Sequence, residues 1–139
     1  MTRALIALSA SLVLGATAAP CLAQGAPAGP LLQTSQTVVG EDLVYPATGK
    51  AVVTTTIVTL APGETTITHQ HGVPMIAYIL EGELTVDYGD HGTKTYTAGE
   101  SFAEAMRVDH AGTNTGTGTL RILSVYVGAE GSRNVIPKR

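Results

Sequence analysis

Two histidines one residue apart raise the question of a metal site. The stretch from Thr68 to Gly82 reads THQHGVPMIAYILEG and contains His69 and His71, two of the four histidines in the chain. If this stretch is extended, side chains at i and i+2 point to the same face, so the two imidazoles project together. Imidazole is the commonest metal ligand among side chains. Two histidines on a solvated strand also occur by chance, so the pair alone leaves both a metal clamp and a polar loop open.

A second stretch, GESFAEAMRVDHAGTN, supplies a third histidine, His110. Together the two stretches resemble the two sequence motifs of the cupin family. The first motif, G-x5-H-x-H-x3 or 4-E-x6-G, is matched by Gly63, His69, His71 and Gly82. The second motif, G-x5-P-x-G-x2-H-x3-N, is matched by Gly99, His110 and Asn114. The resemblance extends from about Tyr45 to Gly128 and implies a double-stranded β-helix with metal ligands pointing into the barrel.

The glutamate of the first cupin motif is missing, because Met75 and Ile76 stand at its two allowed positions. Three solutions remain open. Water can complete a three-histidine shell, the sulfur of Met75 can bind and would favour copper, or another carboxylate can substitute. Glu104 is the named carboxylate, since SFAEAMRVDH resembles a cupin subgroup with the pattern F-x-E-P-P-G-x-x-H. An unpaired carboxylate inside a barrel is costly, although strand alternation also allows Glu104 to face solvent.

The resemblance therefore implies a mononuclear metal site formed by His69, His71 and His110, with Glu104 as the fourth ligand. Imidazole with one carboxylate suits Fe, Mn, Ni, Cu or Zn. We expect an exported metal-binding cupin, either an oxygenase or another enzyme that acts on a small-molecule substrate at the metal. A non-catalytic periplasmic module that binds metal or a small ligand is one alternative, and a structural cupin with an empty site is another. No catalytic residue beyond the metal ligands can be named.

The elements that must position these residues are predicted to be strands. Hydrophobic residues make up 44% of the chain and aromatics only 4%, so the core must be built from aliphatic side chains. Several short β-branched runs separated by Gly and Pro predict an all-β jelly-roll barrel, a single cupin domain over residues 45–139. One strand is predicted around Leu43, another within Ala51 to Gly63, and a tight hairpin is predicted at Glu81 and Gly82.

The first 23 residues have the form of a secretory signal, with Arg3 followed by an apolar stretch and small residues before a cleavage site after Ala23. The apolar stretch is shorter than the roughly 20 residues that span a bilayer. Removal of this segment takes away the only cysteine, Cys21, and leaves no membrane contact. Residues 24–44 are predicted to be a flexible arm. The mature protein is expected to be secreted or periplasmic.

The acidic net charge of the chain bears on the class of partner that it can bind. The chain has 8 basic and 11 acidic residues, and loss of Arg3 leaves 7 against 11, a net charge of −4. No Lys/Arg cluster is present to bind phosphate, so nucleic acid is not an expected partner. A small-molecule ligand or substrate is expected instead. The resemblance to cupins, which often pair through edge strands, implies a homodimer.

Overall fold

Nine strands and one short 3₁₀ helix form the regular structure of residues 29–138, the part of the chain that this computed structural model describes. The strands are β1 (Ala51–Leu60), β2 (His69–Gln70), β3 (Met75–Glu81), β4 (Glu83–Asp87), β5 (Thr93–Thr97), β6 (Ser101–Ala103), β7 (Ala111–Asn114), β8 (Leu120–Ala129) and β9 (Ile136–Pro137), and the 3₁₀ helix is Gly89–His91. The predicted signal segment and residues 24–28 of the predicted arm lie outside the described residues. No helix within residues 29–138 has the length and apolar character needed to cross a membrane.

The strands form three antiparallel sheets. A four-stranded sheet has the order β1-β8-β3-β6, a three-stranded sheet has the order β5-β4-β7, and β2 pairs with β9. Across residues 29–138 these sheets are not linked by strand pairing into one closed ring. The all-β prediction from composition and turn spacing is confirmed.

Alternation along each strand decides which side chains enter the core between the two larger sheets. On β8, Ile122, Ser124 and Tyr126 are buried, and the residues between them are only partly buried. On β4, Leu84 and Val86 are buried in the same alternating way. Each aliphatic side chain buried in this manner contributes about 1.5–3 kcal/mol. A core with few aromatic side chains is therefore stabilised mainly by aliphatic packing.

The hairpin predicted at Glu81 and Gly82 is wrong. β3 pairs with β6 and β8, whereas β4 pairs with β5 and β7, so the chain crosses from one sheet to the other at Gly82. Gly82 has φ +86, and a Cβ there would lie 2.8 Å from the carbonyl oxygen of Thr119. Only glycine fits a position that combines positive φ with such a close backbone approach.

The strand predicted around Leu43 is also wrong. Residues 43–46 form no strand, and Leu43 instead donates its N–H to the carbonyl of Ser35 at 2.9 Å. Gln36 and Asp42 form an isolated bridge, so this part of the chain folds back on itself. Farther along, Pro46 lacks the N–H that would extend a ladder. Val38 donates its N–H to Ala103 at 2.9 Å, which places the predicted arm beside β6.

Candidate metal centre

Three histidines meet at one end of the space between the sheets. His69 begins β2, His71 follows β2, and His110 immediately precedes β7. His69 and His110 form a reciprocal bridge with two backbone hydrogen bonds of 3.0 Å. The ring centroids are 4.5–5.1 Å apart, and one potential ligand nitrogen from each ring lies within 4.8 Å of the others. The backbone bridge therefore brings the two sequence motifs together at one point.

The second nitrogen of each ring has a backbone partner. Nδ1 of His69 lies 2.8 Å from the Ile67 carbonyl, Nδ1 of His71 lies 2.8 Å from the Asn134 carbonyl, and Nδ1 of His110 lies 2.9 Å from the Val108 carbonyl. A carbonyl oxygen only accepts, so each Nδ1 carries the proton and each Nε2 presents a lone pair. This is the arrangement that orients metal-binding histidines in proteins.

Two of these Nε2 atoms are left without a protein partner. Nε2 of His71 and Nε2 of His110 are buried, and no hydrogen-bond partner for either lies within residues 29–138. Buried polar atoms are nearly always paired with protein, water or an ion. A metal cation accepts lone pairs from all three rings at once, so the donor set fits a transition metal.

Burial keeps the imidazoles in the neutral form that binds metal. Only 2% of His71 is exposed, and burial lowers its pKa from 6.5 to about 3. Burial also lowers the pKa of His69 and of His110, against the hydrogen bonds to carbonyls, which raise both values. Protons therefore compete weakly with a metal ion at neutral pH.

Glu104 lies in the same cavity and does not face solvent. Its side chain follows β6 and is 4% exposed. Oε1 accepts the N–H of Ala105 at 2.8 Å, and Oε2 lies 4.0 Å from Nε2 of His110. Metal–nitrogen and metal–oxygen bonds of about 2.0–2.2 Å each sum to about 4 Å, so one ion can contact both atoms. Burial raises the pKa of Glu104 to about 7, while hydrogen bonds from Tyr88 and Ala105 lower it.

Met75 lines this cavity as well. It is buried on β3 and reaches the cavity from the four-stranded sheet. Met75 and Glu104, the two side chains considered in place of the missing carboxylate, therefore line the same cavity as the three imidazoles. Their roles as ligands stay predictions.

Sequence reasoning missed three residues around the site. Ser124 and Tyr126 line the cavity from β8. Tyr88 is 1% exposed, and its ring centroid lies 5.8 Å from that of His110. The i+2 spacing of Leu84, Val86 and Tyr88 places the tyrosine on the buried face and was the signal available in the sequence. Burial raises the pKa of Tyr88 far above its usual range, so this phenol stays protonated.

Glu41, from the predicted arm, accepts two backbone hydrogen bonds from the loop between Glu104 and His110. Its carboxylate accepts the N–H of Met106 at 2.7 Å and the N–H of Arg107 at 2.9 Å. The cupin subgroup that this segment resembles has proline at positions 105 and 106, and proline has no N–H. The departure from that pattern frees two donors, which Glu104 and Glu41 accept. The two freed N–H groups were a signal in the sequence that an acceptor is needed. The acceptor of the Met106 N–H, Glu41, lies 65 residues earlier in the chain, so the sequence did not identify it.

Other residues near the motifs have surface or packing roles. Arg107 pairs with Glu41 at 3.5 Å, and Asp109 pairs with Lys138 at the surface. Asn114, the last residue of the second motif, donates to the carbonyls of Leu60 at 2.9 Å and Gly118 at 2.8 Å, so it joins β7 to the end of β1 and to the loop before β8. None of these side chains enters the cavity.

Comparisons with known proteins bear on the family and the fold of the chain. A family model described as "Cupin domain" matches residues 56–126. A search of curated proteins finds no match.

Three solved structures illustrate the similarity in fold. The polyketide cyclase RemF from Streptomyces resistomycificus is 22% identical, with a TM-score of 0.52 over 67% of this chain and 63% of that one. An RmlC-like cupin with a double-stranded β-helix fold from Methanocaldococcus jannaschii is 22% identical, with a TM-score of 0.50 over 53% and 68%. An oxalate decarboxylase from Lactobacillus farciminis, solved with formate, is 21% identical, with a TM-score of 0.52 over 61% and 26%.

The chain thus spans 63% of the length of the polyketide cyclase and 26% of the oxalate decarboxylase. The family match covers 71 residues (56 to 126) of 139, slightly more than half of the sequence. It includes His69, His71, Glu104 and His110. The predicted double-stranded β-helix is confirmed, and the chain belongs to the cupin family.

Proposed function

We propose that this protein is an exported cupin that binds one divalent transition metal ion through His69, His71, His110 and Glu104 and acts on a small molecule at that mononuclear centre. The observation that supports it most is the set of three Nδ1–carbonyl hydrogen bonds, which leaves the three Nε2 lone pairs free at one cavity. A second support is the buried carboxylate of Glu104 beside His110.

Each residue has a distinct part in the proposal. The backbone carbonyls fix the ring orientation and tautomer of the histidines. Glu104 supplies the one negative charge of the ligand set, and the Ala105 N–H orients its carboxylate. Fe, Mn, Ni, Cu or Zn bound here would supply Lewis-acid polarisation of a coordinated oxygen atom, and the redox-active members of this group would also supply electrons.

The mostly apolar wall of the cavity favours a small ligand with an apolar body. The cavity has a volume of about 70 Å³, and the walls around the histidines are mostly aliphatic and aromatic, among them Leu84, Val86, Phe102 and Ile122. Ser124 and Tyr126 add the only hydroxyl groups from β8. No Lys or Arg from residues 29–138 lines the cavity, so charge pairing with an anionic ligand would depend on the metal itself.

A periplasmic binding module without turnover is the second candidate. The specific observation that favours it is the scarcity of proton-transfer groups in the cavity, where Glu104 and Tyr126 are the main ones besides the three histidines. Burial raises the pKa of Tyr126, which makes this phenol a poor base at neutral pH. The two candidates differ in whether a metal-bound position exchanges a substrate for a product.

The metal can be tested directly by elemental analysis of protein purified from its native compartment. We expect about one equivalent of a transition metal and a fall in melting temperature when a chelator removes it, because a bound metal stabilises the folded state. His71→Gln should lose the metal, whereas His91→Gln, a change at an exposed histidine of the 3₁₀ helix, should retain it. Native protein without stoichiometric metal, with a melting temperature indifferent to chelation, would disprove the proposal.

Export is tested separately. Intact mass and N-terminal sequencing of the protein recovered from its host should give a chain that begins at Gln24 in the periplasmic or secreted fraction. A chain that keeps residues 1–23 and stays with the cytoplasmic fraction would contradict export without affecting the metal site.

A further inference from the structure

The chain beyond β8 folds back over the strand that carries the first histidine motif. A tight turn follows β8, in which Ser132 donates its N–H to the carbonyl of Ala129 at 3.0 Å. β9 then pairs with β2 in antiparallel register. We call residues 132–138 the β9 strap. The strap thus lies along the strand that begins with His69.

The β9 strap supplies the backbone acceptor for one of the three histidines. Nδ1 of His71 bonds the carbonyl of Asn134, which lies 63 residues farther along the chain. Nδ1 of His69 and Nδ1 of His110 instead bond carbonyls only two residues away. The ring orientations of His69 and His110 are therefore set locally, whereas that of His71 depends on docking of the strap.

The strap does not reach the metal cavity itself. None of residues 132–138 lines the cavity that contains the three histidines. Lys138 donates its N–H to the Thr68 carbonyl at 3.0 Å, and its side chain pairs with Asp109. Both partners immediately precede a histidine of the site. The strap can therefore influence a bound ion only through the histidines, as a positioning element.

Gly72 allows the strap to approach this closely. A Cβ at Gly72 would lie 2.5 Å from the carbonyl oxygen of Arg133 and 3.4 Å from Cδ1 of Ile136. The φ of Gly72 is not positive, so the close approach of the strap, and not the backbone conformation, requires glycine here. The residue that follows His71 is thus matched to a docked strap.

Few buried contacts hold the strap in place. Within residues 132–138 only Asn134 and Ile136 are half-buried, and the other five are exposed. The ladder between β2 and β9 has two residue pairs, and Pro137 has no N–H to add to it. Surface ion pairs such as that of Lys138 contribute little. A segment with so few buried contacts opens locally at a small cost in free energy.

Opening of the strap would change His71. Without the Asn134 carbonyl, the buried Nδ1–H loses its acceptor, and the ring is no longer held in the orientation that directs Nε2 toward the other two rings. A ligand binds less tightly when its binding-competent state is only partly populated. A metal ion therefore favours the docked strap, and by reciprocity the docked strap favours the metal.

We propose that the β9 strap positions His71 for metal binding and that a bound ion in turn holds the strap against β2. This inference rests on the metal centre proposed above, and it adds a coupling between that centre and a segment of the protein surface. Occupancy of the site is thereby expressed outside the cavity, as protection of the strap from opening.

Hydrogen exchange of the unaltered protein, with and without one equivalent of Zn²⁺, tests the coupling without any substitution. The Lys138 amide, which bonds the Thr68 carbonyl, should exchange about 10-fold more slowly when Zn²⁺ is bound. The Glu100 amide, which bonds the Thr97 carbonyl in an exposed turn away from the site, is the control and should exchange equally in both states. Equal exchange of the Lys138 amide in the Zn²⁺-bound and metal-free protein would overturn the proposal.

Two pairs of substitutions test the reverse direction through the rate at which Zn²⁺ passes to excess EDTA. Ile136→Ser removes the half-buried apolar contact of the strap, and Gly72→Ala places a methyl group against the Arg133 carbonyl. Each should release Zn²⁺ about 10-fold faster or more. Val135→Ser and Gly118→Ala are the matched controls, because Val135 is 38% exposed and a Cβ at Gly118 meets nothing within 4 Å. Both controls should release Zn²⁺ at the wild-type rate.

Circular dichroism checks that each variant folds, and hydrogen exchange of the unaltered protein decides the matter where one does not. Release of Zn²⁺ at the wild-type rate by both Ile136→Ser and Gly72→Ala would overturn the strap proposal alone, as would equal acceleration by the two controls. A wild type that takes up no Zn²⁺ would overturn the metal centre itself and the strap proposal with it.

Discussion

Oε2 of Glu104 lies 4.0 Å from Nε2 of His110, and both side chains are at most 5% exposed. This nitrogen has no proton to donate, because Nδ1 already carries the proton that binds the Val108 carbonyl, and within residues 29–138 nothing donates a hydrogen bond to it. A carboxylate and a lone pair thus face each other across a short gap inside the protein. A cation between them would compensate both, since buried polar groups without partners are costly.

Replacing Glu104 should weaken metal binding more than replacing Met75. Glu104→Gln removes the only charge of the proposed ligand set, and we expect metal affinity to fall about 10-fold or more, as it does when partners of metal sites are disturbed. Met75→Leu preserves a buried apolar side chain of similar volume and should change affinity little. Titration of the chelator-treated variants with metal measures both. A large loss with Met75→Leu and none with Glu104→Gln would assign the fourth position to the sulfur.

The histidines could be predicted from the sequence because their role depends on spacing within two short motifs. The inward direction of Glu104 could not, since β6 ends at Ala103 and alternation does not apply to the loop beyond it. Glu41 lies outside both motifs and reaches the site only through tertiary folding. The pattern around Gly82 predicted two strands correctly but not their partners, because hydrophobic periodicity defines strand faces and leaves pairing open.

The metal-free protein should lose stability as the pH falls below about 6.5. Burial lowers the pKa of His71 from 6.5 to about 3, so between these values the unfolded chain binds a proton that the folded chain excludes. His69 and His110 shift in the same direction. Glu104 has the opposite effect, because its raised pKa of about 7 makes the folded state less stable as the pH rises from 4.5 to 7.

Between about pH 4.5 and 6.5 the shift of His71 opposes that of Glu104, and the lowered pKa values of His69 and His110 add to the effect of His71, so the net stability declines with acidification. Urea unfolding of chelator-treated protein at a series of pH values measures the slope. His71→Gln should flatten the profile, and His91→Gln, at an exposed position, should leave it unchanged. A free energy of unfolding that rises on acidification would mean that Glu104 dominates instead.

Glu41 should stabilise both the fold and the loop between Glu104 and His110. Glu41→Gln removes the charge and one of the two oxygens that accept the N–H groups of Met106 and Arg107, and bonds to charged groups contribute about 1.5–3 kcal/mol each. Because the amide oxygen can still accept one of the two N–H groups, we expect a loss of about 1–2 kcal/mol in the free energy of unfolding and a several-fold weaker metal affinity. Glu100→Gln is the matched control, since Glu100 accepts the N–H of Thr97 in an exposed turn away from the site.

Glu100→Gln should change neither metal affinity nor the stability of the loop between Glu104 and His110. Hydrogen exchange of the Met106 and Arg107 amides gives a local readout, and these amides should exchange faster in Glu41→Gln. Equal effects of the two variants on metal affinity would show that Glu41 has no specific role at the site.

Gly82 should tolerate alanine far less well than Gly63, although both are glycines of the first motif with positive φ, +86 and +76. At Gly63 nothing lies within 4 Å of an added Cβ, so Gly63→Ala should cost only the left-handed backbone, about 1 kcal/mol. At Gly82 the Cβ would lie 2.8 Å from the Thr119 carbonyl oxygen and 2.9 Å from Cα of Leu120, which are backbone atoms that cannot rotate away. Overpacking should therefore add about 1–3 kcal/mol to the cost of Gly82→Ala, as measured by urea unfolding. Equal losses at the two positions would show that the crossing between sheets shifts without strain.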